Sequence, residues 1–135
     1  MFTEKEQEYL RNNQVARMAT INEKGQPDVV PVRCEFDGTA LYVGGQYMTQ
    51  SRKYKNVEAG NNKVALVIDD FIPVEGGMPG IRGVRIYGLA NPVERPGWGG
   101  VMSTQLKITP TTTWSWGFED PAFTEAGFVT HKTRW

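Results

Sequence analysis

A chain of 135 residues suffices for one domain that buries roughly two-thirds of the surface its unfolded form exposes. Its 15 basic and 15 acidic residues cancel, so no overall field draws it to nucleic acid or to an anionic membrane. The single Cys34 excludes an internal disulfide and fits a reducing compartment.

From the amino terminus, "MFTEKEQEYLRN" is charged and lacks the apolar middle of a signal peptide, and no apolar run anywhere approaches the roughly 20 residues of a membrane span. A cytoplasmic protein is expected. Thr3 and Glu6 have capping-box spacing, so residues 1–14 should carry a helix. With only Phe2, Tyr9 and Leu10 apolar, that helix is expected to be lightly attached to the surface.

Strand signals follow. "VARMATI" (15–21) leads through the turn "NEKGQ" into "PDVVPVRCEF" (27–36), and Asp37-Gly38 marks a hairpin into "TALYVGG" (39–45). "QYMTQSRKYKNV" (46–57) should hold a short helix ended by Gly60, before "KVALVID" (63–69). A loop, "DFIPVEGGMPG" (70–80), precedes the strand "IRGVRIYGLANPVE" (81–94). "RPGWGG" (95–100) then precedes "STQLKITPTTTWSWG" (103–117), and the tail 118–135 gives no readable pattern. The expectation is a mainly β (α+β) single domain over 1–135, an antiparallel barrel of about six strands with short helices. "VVPV", "ALYV" and "ALVI" are apolar on both faces, and the helices are too few to cover an outer face. A second copy of the chain would supply that layer, so a homodimer is expected; the amino-terminal helix and the tail are the alternative cover.

One cysteine and one histidine cannot make a metal site, and with only Cys34 and His131 a Ser-His-Asp or Cys-His nucleophile system is not expected. Neither glycine-rich phosphate fingerprint is present. Three features remain. "SRKYK" places Ser51, Arg52, Lys53 and Lys55 at a helix start, where backbone N–H groups already make cations unfavourable unless a phosphate joins them; the alternative is a solvated basic turn. Pro31 interrupts an apolar strand and belongs where a sheet opens, which would leave peptide groups of Val29, Val30, Val32 and Arg33 free for a ligand's polar edge; a plain edge strand is the alternative. "TTTWSWG" alternates Trp114 and Trp116 onto one strand face, either as core residues or as walls for an aromatic cofactor.

In this order the segments "ARMATINEKGQPDVVPV" (16–32), "LYVGG" with "SRKYKNV" (41–57), "NKVALVIDD" (62–70), "RGVRIYGLA" (82–90) and "LKITPTTTWSWG" (106–117) resemble the pyridoxamine phosphate oxidase-like split barrels. The likeness is strongest to the branch associated with the deazaflavin coenzyme F420. The resemblance implies a phosphate site at Ser51, Arg52 and Lys53. It also implies backbone contacts to the pyrimidine edge at Val29, Val30, Pro31 and Val32, with Val43 and Gly44 lining the same cleft. Arg82, Gly83 and Val84 fall on the family's Arg-x-Val strand position. Ser115, Trp116 and Gly117 would reach the cofactor from a second subunit. Two departures argue against vitamin B6 oxidation: Gly83 stands where the oxidase has glutamine, and "THKTRW" replaces its Arg-x-His ending.

The resemblance implies a flavin- or deazaflavin-dependent oxidoreductase passing hydride to a small conjugated acceptor, with coenzyme F420 preferred over FMN. Trp116 and the two Gly/Pro loops would shape the acceptor pocket, and the proton would come from solvent, Tyr47 or Tyr87. Lys55, Lys63 and Arg85 are candidates for a basic track, although Arg82 and Arg85 cannot face one groove. The alternatives are a dimeric carrier of flavin, haem or tetrapyrrole without turnover, and a barrel acting only through its dimer surface.

Overall fold

The computed structural model describes residues 1–73, 76–77 and 79–135. Helix α1 (Glu4–Asn12) precedes strands β1 (Val15–Ile21), β2 (Pro27–Phe36) and β3 (Leu41–Gly44). A 3-10 turn (Met48–Gln50) leads into α2 (Arg52–Glu58), followed by β4 (Lys63–Ile72), β5 (Gly80–Pro96) and β6 (Met102–Trp116). The tail forms a small hairpin, β7 (Phe123–Thr124) with β8 (Gly127–Phe128), and ends in β9 (His131–Arg134). All strand pairs are antiparallel.

The order β3-β2-β1-β4-β5-β6 closes on itself because β6 also pairs with β3, from Leu41 opposite Ile108 to Val43 opposite Leu106. This is the expected six-stranded barrel with two short helices. Its interior is filled by Met18, Leu41, Val43, Leu66, Ile86, Leu106 and Ile108. The turns form as their residues dictate. Gly25 takes a positive φ of 77° while the Asn22 side chain accepts hydrogen bonds from the Lys24 and Gln26 backbone. At the next turn the Asp37 carboxylate accepts from the Thr39 and Ala40 N–H groups.

Three expectations change. Helix α1 has its capping box, yet it is firmly docked: Phe2 and Leu10 are buried, and the Tyr9 hydroxyl donates to Asp70 at 2.8 Å. Few apolar residues suffice because nearly all of them enter the core. The unreadable tail contributes β9 along the carboxy-terminal half of β6, the edge whose other half β3 occupies. Trp135 closes it by donating Nε1–H to Thr113 and packing edge-on against Phe2. The third concerns the faces of β6. A bulge opposite Tyr87 and Gly88 accommodates the extra Thr111, so the inward positions pass from Leu106, Ile108 and Pro110 to Thr113 and Ser115. Trp114 and Trp116 therefore share the outer face and are not core residues.

The barrel wall formed by β1 and β2 stays uncovered by this chain's helices. Val15, Val29 and Ile21 are 60%, 66% and 45% exposed, respectively.

Candidate functional site

Strand β2 is longer than the partner on one of its edges. Its residues Pro27–Arg33 pair with β1, but β3 meets only Arg33–Phe36. From 27 to 32 the second edge of β2 has no strand partner among the described residues, and Pro31 stands in this opening. The chain leaves β3 at Gly44, and α2 fills the end of the barrel beside the opening. Asn56 of α2 is buried and donates to the Thr20 hydroxyl of β1 at 2.9 Å, and Val57 joins the core.

That docking fixes the start of α2. Ser51 is its N-cap: the hydroxyl accepts from the Tyr54 N–H at 3.3 Å and donates to the Met48 carbonyl at 2.6 Å. Arg52 points to solvent and Lys53 is half-buried. Burial lowers the Lys53 pKa, and Asp28 on the open stretch of β2 partly offsets it. Among the described residues, neither Arg52 nor Lys53 lies within ion-pair distance of a carboxylate. The fold thus joins a serine-capped pair of cations to the strand edge on which the peptide groups of Val29 and the Pro31 carbonyl face outward, while those of Val30 and Val32 turn to β1. Of the strand residues expected here, Val32 and Val43 point into the core, and their peptide groups sit in the ladders with β1 and with β2 and β6, so neither is free for a ligand. Val30 also packs against the core, whereas Val29 and Pro31 face outward.

The late-strand residues lie elsewhere. Ala19 of β1 pairs with Ala65 and Ala65 with Tyr87, so α2 sits near this row. Gly83 and its partner Trp116 are four residues further along β5, roughly 14 Å away at strand rise. One chain therefore does not bring Trp116 and Gly117 to α2. Gly83 has no room for a side chain: a Cβ there would stand 2.6 Å from Trp116 Cζ2 and 2.8 Å from the Ile68 carbonyl oxygen. Gly117, at φ 81°, is pressed against Ile81 and Arg82. Arg82 is engaged by a bidentate pair with Asp70, at 2.8 and 3.0 Å, and stacks on Tyr9. The Asp70 carboxyl is held below its ordinary range, chiefly by the Arg82 hydrogen bonds. Ser115 and His131 flank a small cavity of about 60 Å³ beside Thr3 and Glu6. Arg85 does not join Arg82; it lies 4.0 Å over Trp114 and near Tyr87. Cys34 is a core residue whose thiol burial pushes up to about 12.

A larger groove, about 870 Å³, begins where β3 ends. Gly44 and Gln105 form its floor, and the tip of the β5–β6 hairpin, with Trp98, closes one side. Tyr47 enters from the loop before α2 in the left-handed region, φ 56°. This conformation costs a non-glycine residue roughly 1–2 kcal/mol, and such strain clusters at functional sites. The other tyrosine candidate, Tyr87, stands on the barrel's outer wall, edge-on to Trp114. The groove holds residues that the sequence reading missed, Glu35, Tyr42 and Gln105, and Arg95 backs them, bonded to Glu35 and stacked over Tyr42. Alternation along β2 and β3 could have placed Glu35 beside Arg33 and Tyr42 beside Gly44. The β3–β6 closure that adds Arg95 and Gln105 has no sequence signal. The loop 70–80, also expected at a pocket, includes residues 74, 75 and 78, outside the described set.

Residues 2–113 match the family described as pyridoxamine 5'-phosphate oxidase. The chain belongs to the pyridoxamine 5'-phosphate oxidase family. It is 37% identical, over 87% of its length and 84% of the relative's, to the 5a,11a-dehydrotetracycline/5a,11a-dehydrooxytetracycline reductase of Streptomyces rimosus. Solved structures with the same fold include an F420 reductase (TM-score 0.60, 20% identity, 83% of this chain and 98% of that one). The General Stress Protein 26 of Bacillus anthracis is another (TM-score 0.69, 16% identity, 98% and 97%). A conserved hypothetical protein of Mycobacterium tuberculosis also matches (TM-score 0.67, 19% identity, 88% and 87%).

Proposed function

We propose that this chain is a homodimeric, coenzyme F420-dependent reductase that adds hydride and a proton across a conjugated double bond of a planar organic acceptor. One observation carries the reading: a half-buried Lys53 with no carboxylate within ion-pair distance among the described residues, at a helix start, against a strand edge with unpaired peptide groups. A phosphate there offsets the burial of the cation, and the free edge of β2 suits the polar rim of a flavin-like ring. The reductase relative supports the chemistry, and the F420 reductase among the structures of this fold supports the deazaflavin preference.

When bound, a reduced deazaflavin supplies the hydride. The chain's own residues do the rest. Arg52 and Lys53 hold the phosphate; the Ser51 hydroxyl, whose proton goes to the Met48 carbonyl, donates to it by turning away from that carbonyl. The Val29 peptide groups and the Pro31 carbonyl, on the open edge, orient the ring. Tyr47, exposed at the groove beside the cradle, offers a proton from its hydroxyl, and Tyr87 is too far around the wall to share that role. Trp116 and Gly117 reach this site only from a second copy, whose barrel would cover the apolar wall of Val15, Val29 and Ile21.

Titration of purified apo-protein with F420 and with FMN tests the cofactor. F420 binds, and the double change Arg52→Glu, Lys53→Glu abolishes binding while the dimer keeps its mass. Micromolar binding of FMN with none of F420 overturns the preference. A loaded, reduced protein that passes hydride to no quinone or enone would instead be a carrier.

A further inference from the structure

The groove beyond Gly44 is built unlike the phosphate cradle it adjoins. Its walls are aromatic and its floor is amide. Trp98 carries the Arg33 guanidinium over its ring at 5.3 Å yet remains 84% exposed, so the opposite indole face is open. Across the floor, the Tyr42 ring lies under Arg95 at 3.9 Å, and Glu35 fixes that arginine at 2.8 Å. Arg33 reaches the same carboxylate at 3.5 Å. Two arginines sharing one glutamate leave a single surplus positive charge, too little for a polyanionic tail but suited to one enolate or phenolate.

Gln105 completes the site. Only 5% exposed, it has long contacts alone: 3.4 Å from Arg95, 3.4 Å to the Pro96 carbonyl and 3.5 Å to Ser103. A buried amide held by such weak bonds retains donor and acceptor capacity for a ligand. Gly97 also has a packing reason, since a Cβ there would stand 2.7 Å from Ser103 Oγ and push the hairpin tip away. The volume, about 870 Å³, falls in the range of small-molecule sites.

We infer that this groove is the acceptor site, and that it takes a planar, multi-ring compound with several keto or enol oxygens, stacked on Trp98 and Tyr47 and hydrogen-bonded by Gln105 and Arg33. The inference rests on the reductase reading for its role in turnover, but not for binding. It makes Trp98 and Gln105 specificity residues of this chain.

The test uses 1,2-dihydroxyanthraquinone as probe and follows its absorbance on titration with the wild type, Trp98→Ala and Gln105→Leu, with F420 titrated in parallel. Trp98 is exposed on a loop, so its alanine variant should fold, which the thermal melt checks. The expected result is at least a tenfold loss of probe affinity in Trp98→Ala and a smaller loss in Gln105→Leu, with F420 affinity within twofold of wild type. A wild type that does not bind the probe, or variants that bind it unchanged, overturn the inference. So does a Trp98→Ala protein that loses F420 instead, which would assign the groove to the cofactor, or one that falls to monomers, which would make the rim a subunit contact. If the wild type fails to bind F420 while the probe still depends on Trp98, the cofactor reading fails and the groove assignment stands.

Discussion

Adding one methyl group at Gly83 sets the packing of β4, β5 and β6 against a defined obstacle. The new Cβ would meet Trp116 Cζ2 at 2.6 Å, Asp69 Cβ at 2.8 Å and the Ile68 carbonyl oxygen at 2.8 Å. The indole could swing, because Trp116 is on the outer face, but Ile68 and Asp69 belong to the ladder that pairs with Val84 and Gly83. Moving them stretches the β4–β5 pairing, so relief is incomplete. Overpacking of this kind costs roughly 1–3 kcal/mol, and the backbone wall argues for the upper half of that range. At about 2.1 cal/mol/K per residue of unfolding entropy, a cost of about 2–3 kcal/mol lowers Tm by roughly 7–11 °C. Differential scanning calorimetry of Gly83→Ala at fixed protein concentration measures it, since a dimer's Tm depends on concentration. The double variant Gly83→Ala, Trp116→Ala should recover only the indole's share. A Gly83→Ala protein melting within 1 °C of wild type would refute the steric argument.

Other outcomes follow from charge. The Asp37 carboxyl, despite burial that alone would raise it, is held at about 2 by the Ala40 and Thr39 N–H donors, against an ordinary 3.8. A depressed carboxylate contributes stability that is complete above 3.8 and fades as pH falls toward 2. Asp37→Asn should therefore melt lower than wild type at pH 7 and level with it at pH 2; equal melts at both pH values would contradict the turn's role. Lys53→Met removes a half-buried cation whose pKa burial lowers, so the apo-protein should melt no lower than wild type, with any gain small because solvent screens the group. The same change should weaken F420 binding by at least roughly tenfold, as loss of one charge-assisted bond implies. A variant that loses stability and keeps its cofactor would speak against the cradle. Native Cys34, 1% exposed, should resist a thiol reagent at pH 8 until the protein unfolds, and prompt stoichiometric reaction would disprove its burial.

Local rules carried much of the way. Six strands, both helices and the turns at Asn22 and Asp37 were legible because each depends on residues within a few positions: alternation, a Thr3–Glu6 box, a serine cap, turn glycines. The cationic start of α2 was visible too, since three cations behind a serine contradict the local helix field unless an anion is near.

What neighbours in sequence cannot specify is which distant elements meet. The tight docking of α1 depends on Tyr9 finding Asp70, 61 positions later. The outward placement of Trp114 and Trp116 depends on one extra residue in β6 opposite β5, which reverses every side chain beyond it. The groove exists because β3 ends early and closes on β6, bringing Arg33 and Gly44 against Trp98 and Gln105. Alternation chose the face each residue takes; only barrel closure, a global balance of pairing and burial, chose its companions.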